Sequence, residues 1–331
     1  MDENNIPKQQ TNEAVNFSEE FRERQALKRA AWCIAIPALL FYAVSRFLAV
    51  IIMAAGGRLG FSAEQIRKVI SDPAALQIIQ VTLSVLLFTF PFILCAKTAG
   101  LNIGKQTALH APKKETAVPY FLFGIGFCAF ANIAVSQAGR IFESFGIHYS
   151  VPQDQNPEGF FGFMLVMLST AFVPAITEEF AYRGIVMGLL KPFGEGFSVI
   201  ASAAAFGMLH GNFNQIPFAF LVGLVLGYVR MKTGSLVVCM AIHFVNNAVA
   251  VVSSYSLGLP TAAKNTIYAV YIMLALAAAI YGVAKIGKDG FSFNPPQTKR
   301  STKKTYVDFF FSPATLIFFA LFFYRACTYL F

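Results

Sequence analysis

The chain has 331 residues, of which 56% are hydrophobic and 13% are charged, whereas a soluble globular domain carries roughly 45–50% apolar and about 25% charged residues. This balance excludes a soluble domain, an intrinsically disordered chain and a disulfide scaffold, and because the net charge of +9 resides mainly between apolar blocks, we expect no nucleic-acid partner. The composition instead predicts an all-α integral membrane protein, a polytopic bundle of transmembrane helices with the lipid bilayer as its solvent.

Nine apolar blocks are candidate membrane spans, since a helix needs about 20 apolar residues to cross the hydrocarbon. In chain order they cover residues 32–56, 74–96, 117–139, 160–190, 197–212, 216–231, 235–257, 265–284 and 309–331. The fifth and sixth blocks are short and are separated by glycine, asparagine and proline, so we expect a tight hairpin there. The sequence predicts about eight to nine spans.

Polar segments divide the chain into four parts. We expect a cytoplasmic N-terminal tail (1–31), a transmembrane core (32–284), a basic cytoplasmic linker (285–308) and a C-terminal apolar helix (309–331) that forms an extra span. With the N-terminus inside, 18 of the 26 Lys and Arg residues lie in inner segments, 5 in outer loops and 3 within spans. Because Lys and Arg accumulate on the cytoplasmic side, this distribution predicts a cytoplasmic N-terminus, in the cell membrane.

The fourth block carries three charged residues, Glu178, Glu179 and Arg183, within an otherwise apolar helix. A charge at a helix centre costs about 2.5–3.5 kcal/mol on insertion scales, so the cluster indicates a functional site. Glu179 and Arg183 are spaced i, i+4 on one helix face, which predicts a structural ion pair. Glu178 is rotated by about 100° around the helix axis from Glu179, so it cannot share Arg183 equally and remains available to accept or donate a proton. Pro174 removes a helix hydrogen bond, so we expect a local opening just ahead of the site.

Two histidines lie in separate apolar blocks further along the chain. His210 has Phe206 one turn before it, in the fifth block. His243 has Asn247 one turn after it, in the seventh block. A rise of about 1.5 Å per residue from the inner helix ends places Glu178, His210 and His243 in one layer, between the midplane and the cytoplasmic half. We therefore expect these side chains to meet inside the bundle.

Three short motifs thus follow one another, each in its own apolar block: Glu178-Glu179-x-x-x-Arg183, Phe206-x-x-x-His210 and His243-x-x-x-Asn247. Together they resemble the ordered motifs of the CPBP intramembrane proteases, also called the Abi or type II CAAX prenyl endopeptidase family, over about residues 160–257. The resemblance implies hydrolysis of a peptide bond within the membrane. Glu178 and His210 would activate a water, and His243 with Asn247 would stabilise the oxyanion. The implied substrate is a peptide or a membrane-protein segment, such as a CAAX-like tail.

Alternatives to this interpretation stay open. A zinc ion held by Glu178, His210 and His243 is one, since two histidines and a carboxylate can bind zinc and leave a position for water. The chain has no H-E-x-x-H motif, and we favour catalysis without a metal or other cofactor. A non-catalytic membrane partner or bacteriocin-immunity-type protein would also bury such charges, as would a transporter. The G-x-x-x-G pairs are expected to pack helices within the chain, and no oligomeric state is predicted.

Overall fold

A computed structural model describes residues 8–107, 109–146, 156–256 and 259–329. Residues 1–7 of the expected tail and 330–331 of the last apolar block lie outside the described residues. Throughout these ranges the regular elements are helices, without a strand, so the predicted all-α bundle is confirmed.

The helices of the described residues are numbered α1 to α12 in chain order. They are α1 (Lys8–Arg58), α2 (Ala63–Ser71), α3 (Pro73–Thr98), α4 (Ile103–Gln106), α5 (Lys114–Ser144), α6 (Gly159–Phe193), α7 (Glu195–Leu209), α8 (Gln215–Thr233), α9 (Leu236–Tyr255), α10 (Thr261–Ile286), α11 (Thr302–Phe310) and α12 (Pro313–Cys327).

By length and composition, seven helices of the described part of the chain can cross a membrane: α1, α3, α5, α6, α8, α9 and α10. The pair α11 and α12 passes the same test only together and is bent by 55°, so the number of spans is seven, or eight if the bent pair forms one. The bend lies at Ser312 and Pro313, where the proline cannot continue the helix ladder and the Ser312 hydroxyl accepts the Thr315 N–H at 3.2 Å to begin a new helix.

Helix α7 is the element that departs most from the predicted spans. It has 15 residues, a length of about 22 Å, so the helix in the block predicted over 197–212 is shorter than the hydrocarbon core of about 30 Å and does not meet the length expected of a span. Its ends are set by Gly194 (φ +118°) and Gly211 (φ +61°), because these backbone conformations favour glycine and end a helix.

Helices α7 and α8 form the tight hairpin that the sequence predicts. A Cβ on Gly223 would lie 3.0 Å from Ala203, and one on Gly227 would lie 3.1 Å from Val199. Gly227, the later glycine in α8, faces Val199, the earlier residue in α7. The two helices therefore run antiparallel. The glycines of this G-x-x-x-G pair therefore pack helices within the chain, as expected.

The segment after α10, predicted as a basic linker, contacts both α1 and α7. Lys304 Nζ lies 3.1 Å from Glu20 of α1. The Asn294 backbone N–H and side-chain amide donate to Glu195, at the start of α7, at 2.9 and 3.0 Å. Burial raises the pKa of Glu195, but the hydrogen bonds from Asn294 and the neighbouring Lys191 outweigh it, and the pKa lies below its usual value. The linker is thus attached to the bundle at two places.

Candidate active site

Helix α6, which carries the first motif, is irregular around the two glutamates. Two π-helical stretches, Met167–Phe172 and Phe180–Val186, flank the α-helical segment Val173–Glu179. Pro174 lies second in that segment, and because proline has no N–H, the regular ladder is broken just before it. The expected opening ahead of the site is present, and such π-bulges are frequent at functional sites.

Glu179 and Arg183 form the ion pair that their spacing predicts. Arg183 Nη1 lies 2.8 Å from Glu179 Oε1, and the two side chains are 1% and 0% exposed. The guanidinium also lies 4.5 Å from the centroid of the Phe206 ring, a cation–π contact, and Nη2 donates to the Gly223 carbonyl at 3.5 Å. Arg183 therefore joins α6 to both helices of the hairpin, which explains the place of Phe206 in the second motif.

The same Glu179 oxygen also binds His243 of α9. Nδ1 of His243 lies 2.8 Å from Glu179 Oε1, and since a carboxylate only accepts, Nδ1 is assigned as the donor. The other ring nitrogen, Nε2, faces Glu178, whose Oε2 is 3.8 Å away. This distance is too long for a direct hydrogen bond. Glu179 thus orients His243 in addition to neutralising Arg183, a role that sequence spacing does not reveal.

His210 and Asn247 each use one polar group to hold their side chain in place. His210 Nδ1 lies 2.9 Å from the Phe206 carbonyl, so Nδ1 donates, and in the neutral ring Nε2 keeps its lone pair. Asn247 Nδ2 donates to the Thr170 carbonyl at 2.9 Å, which occupies one of its two N–H groups. The site therefore retains a proton acceptor on His210 and a hydrogen-bond donor on Asn247.

One cavity of about 340 Å³ is lined by Glu178, His210, His243 and Asn247 together. Glu178 comes from α6, His210 from the end of α7, and both other residues from α9. The three motifs, which are separated along the chain, meet at this cavity. A carboxylate, an unprotonated ring nitrogen and amide donors around one space can activate a water and bind a developing negative charge.

The comparison with known families bears on this same stretch. Residues 160–249 match the family model of the Rce1-like type II CAAX prenyl endopeptidases. This match, which covers 90 of the 331 residues and contains all three motifs, confirms the resemblance predicted from them. With its apolar helices, the chain is an integral membrane protein, and its residues 160–249 are similar to the CAAX prenyl endopeptidases. No curated protein and no solved structure matches the chain.

The cavity of this family-matched region has further polar lining that sequence reasoning missed. It comprises one hydroxyl and four amide side chains: Gln80, Asn132, Thr170, Gln215 and Asn246. Asn246 Nδ2 donates to Asn247 Oδ1 at 3.1 Å, and its own Oδ1 is buried without a partner. These amides lie singly in different apolar blocks and form no motif. The only sequence signal for them was that an amide side chain is unusual within an apolar span.

The zinc alternative requires at least three ligand side chains around one ion. Across the described ranges, no three His, Cys, Asp or Glu side chains lie close enough together to hold a metal ion. The zinc ligand set of Glu178, His210 and His243 is therefore not assembled in this arrangement. Catalysis without a metal stays a prediction, which metal analysis of the purified protein tests.

Proposed function

We propose that the protein is an intramembrane endopeptidase that hydrolyses a peptide bond of a membrane-associated or CAAX-like substrate with a glutamate-activated water. The observation that carries the proposal is the cavity that Glu178, His210, His243 and Asn247 line together. The family match over residues 160–249 supports the reaction class.

In the proposed reaction, Glu178 takes one proton from the water as its oxygen attacks the substrate carbonyl carbon, while Nε2 of His210 accepts a hydrogen bond from the other O–H and orients the water. The new C–O bond gives a tetrahedral intermediate, and the proton then passes to the amide nitrogen as the C–N bond breaks. A positioned acid–base pair of this kind contributes typically 10²–10⁴-fold to a rate. The attachment of His210 Nδ1 to the Phe206 carbonyl supports this role, because it leaves Nε2 as the acceptor.

The negative charge of the intermediate is assigned to His243 and Asn247. This role requires a proton on each ring nitrogen of His243, with Nδ1–H donated to Glu179 and Nε2–H donated to the oxyanion, while Asn247 supplies its second N–H.

The substrate is proposed to be a peptide or protein segment that reaches the cavity within the bilayer. An extended peptide in hydrocarbon must have its main-chain N–H and C=O groups satisfied. The amides of Gln80, Asn132 and Asn246 at the cavity can supply these partners. The apolar lining, which includes Phe218 and Val222, suits hydrophobic side chains or a prenyl group.

We propose that the chain lies in the cell membrane with its N-terminus in the cytoplasm. The excess of Lys and Arg in alternate segments, 18 against 5, supports this orientation. The predicted linker (285–308), with Lys299 and Lys304, is then cytoplasmic.

A cleavage assay on purified protein tests the proposed function. Wild type, Glu178→Gln and the control Glu158→Gln, an exposed glutamate before the same helix, are incubated in detergent with farnesylated CAAX peptides and with a library of unprenylated peptides. Mass spectrometry of the products should show cleavage by wild type and control and none by Glu178→Gln, because the amide keeps the shape but cannot take the proton.

Two results would count against the proposal. Undiminished cleavage by Glu178→Gln would remove the base assignment. A correctly folded wild type that cleaves neither substrate set would favour the non-catalytic membrane partner instead.

A further inference from the structure

A second cavity, of about 420 Å³, lies at the end of the bundle where α6 and α8 finish. Its lining contains four basic residues, Lys105, Arg183, Lys191 and Arg230, and no Asp or Glu of the described ranges. The cavity follows α6 from Lys191 inward to Arg183, a distance of about 12 Å along the helix axis. It is separate from the cavity that holds Glu178 and His243, and the two share no lining residue.

Arg230 is held in this cavity by uncharged acceptors. Its Nε donates to the Arg183 carbonyl at 3.3 Å and its Nη2 to the Gln106 carbonyl at 2.6 Å, while Nη1 donates to the Gly234 carbonyl. These bonds connect α4, α6 and the turn after α8. The cation is thus fixed in position by the fold, but its charge is not neutralised by these contacts.

The charges around the cavity do not balance. Lys191 lies 3.5 Å from Glu195, and Arg183 is paired with Glu179. Neither Lys105 nor Arg230 forms an ion pair with any part of the chain that the structure describes. Two positive charges therefore face one concave space without a counterion, which is the electrostatic condition for binding an anion.

The position of the cavity relative to the membrane indicates which class of anion it can bind. Lys191 and Arg230 lie in the last turns of the membrane helices α6 and α8, and Lys105 lies in α4, which connects the membrane helices α3 and α5. These positions correspond to the level of lipid headgroups. Basic pockets between transmembrane helices at this level bind anionic headgroups, and Arg and Lys donors suit phosphate oxygens. Met187 and Met231 also line the cavity and offer apolar surface beside the charges.

We infer that this cavity binds a phosphate group, supplied by the headgroup of an anionic phospholipid or by free phosphate. The ligand would contact Lys105 and Arg230 and complete the charge balance of this end of the bundle. The inference concerns binding and not cleavage, so its test does not depend on the proposed protease activity.

The test measures binding of defined probes to the purified full chain in detergent. Native mass spectrometry gives the Kd for phosphatidylglycerol, for zwitterionic phosphatidylcholine with the same acyl chains, and for inorganic phosphate. The variants are Lys105→Gln, which keeps the pair of Lys191 and Glu195, and the double variant Lys105→Gln/Lys191→Gln. The matched control, Lys97→Gln/Lys113→Gln, removes the same charge from exposed lysines outside the cavity.

The wild type and the control should bind phosphatidylglycerol more tightly than phosphatidylcholine. The Kd should rise roughly 5-fold in the single variant and roughly 30-fold in the double variant, from the attraction expected of each lysine near anionic lipid. Binding of phosphatidylglycerol alone identifies the lipid as the source, and equal competition by inorganic phosphate identifies the free anion. Equal Kd values for the two lipids, or an equal loss in the control, would overturn the inference.

Discussion

His243 Nδ1 lies 2.8 Å from Glu179 Oε1, the same oxygen that Arg183 Nη1 approaches at 2.8 Å. One buried carboxylate therefore both neutralises the arginine that joins α6 to the α7–α8 hairpin and fixes the ring that faces Glu178. The stability of the bundle and the geometry of the candidate site depend on the same side chain.

The first prediction follows from this shared carboxylate. Glu179→Gln or Arg183→Met alone should lower the free energy of unfolding by about 3–5 kcal/mol, because each leaves a buried charge without its partner. The double variant should recover much of the stability, since neither charge is then left unpaired. It should not recover cleavage, because His243 has lost its orienting carboxylate. Thermal unfolding and peptide cleavage are measured on all three, and single variants as stable as wild type would contradict the ion-pair interpretation.

The second prediction concerns Asn247, whose free N–H is proposed to bind the oxyanion. Asn247→Ala should reduce kcat by about 10²–10³ with KM nearly unchanged, since loss of one oxyanion donor acts on the transition state. Steady-state kinetics on the substrate found in the cleavage assay measures both constants. The control is Asn265→Ala, an exposed position on α10. A rise in KM at unchanged kcat would instead assign Asn247 to substrate binding.

The sequence predicted those parts of the fold and site that depend on local periodicity. Hydropathy indicated the helical bundle, and the i, i+4 spacing predicted the pair of Glu179 and Arg183. The bond between Glu179 and His243 joins positions 64 residues apart, so helix packing alone determines it. The short length of α7 likewise depends on two glycines with positive φ, Gly194 and Gly211. The hydropathy of a sequence window does not reveal backbone conformation, so the ends of α7 could not be predicted.

The third prediction uses the lowered pKa of Glu195. Its carboxylate accepts two hydrogen bonds from Asn294, so this attachment of the linker contributes stability above the unfolded-state pKa of about 4.3. The contribution is lost as the pH falls through the lower pKa of the folded state. Hydrogen exchange of the linker peptide, corrected for the intrinsic rate, should show protection at pH 6 that decreases below pH 4. In Glu195→Gln the protection should be weaker and nearly independent of pH, and a wild-type pH profile in that variant would contradict the prediction.

The fourth prediction concerns orientation in the membrane. A reporter inserted after Thr298 should be cytoplasmic, and one at Gln153, which lies outside the described residues, should be external, as the distribution of Lys and Arg requires. A third reporter after Phe331 determines whether the bent pair of α11 and α12 crosses. Exchanged signals at the first two positions would invert the proposed orientation.

The fifth prediction separates glutamate catalysis from zinc catalysis. If His210 and His243 act as base partner and oxyanion donor, 1,10-phenanthroline should inhibit cleavage only weakly, and elemental analysis should find well under one zinc per chain. A zinc site behaves differently, because a ligand variant loses the ion together with activity and added zinc restores a chelated wild type. His210→Ala and His243→Ala should therefore lose activity without any change in metal content. Stoichiometric zinc that disappears in both variants would replace the metal-free mechanism with Glu178, His210 and His243 as ligands and would leave the endopeptidase proposal in place.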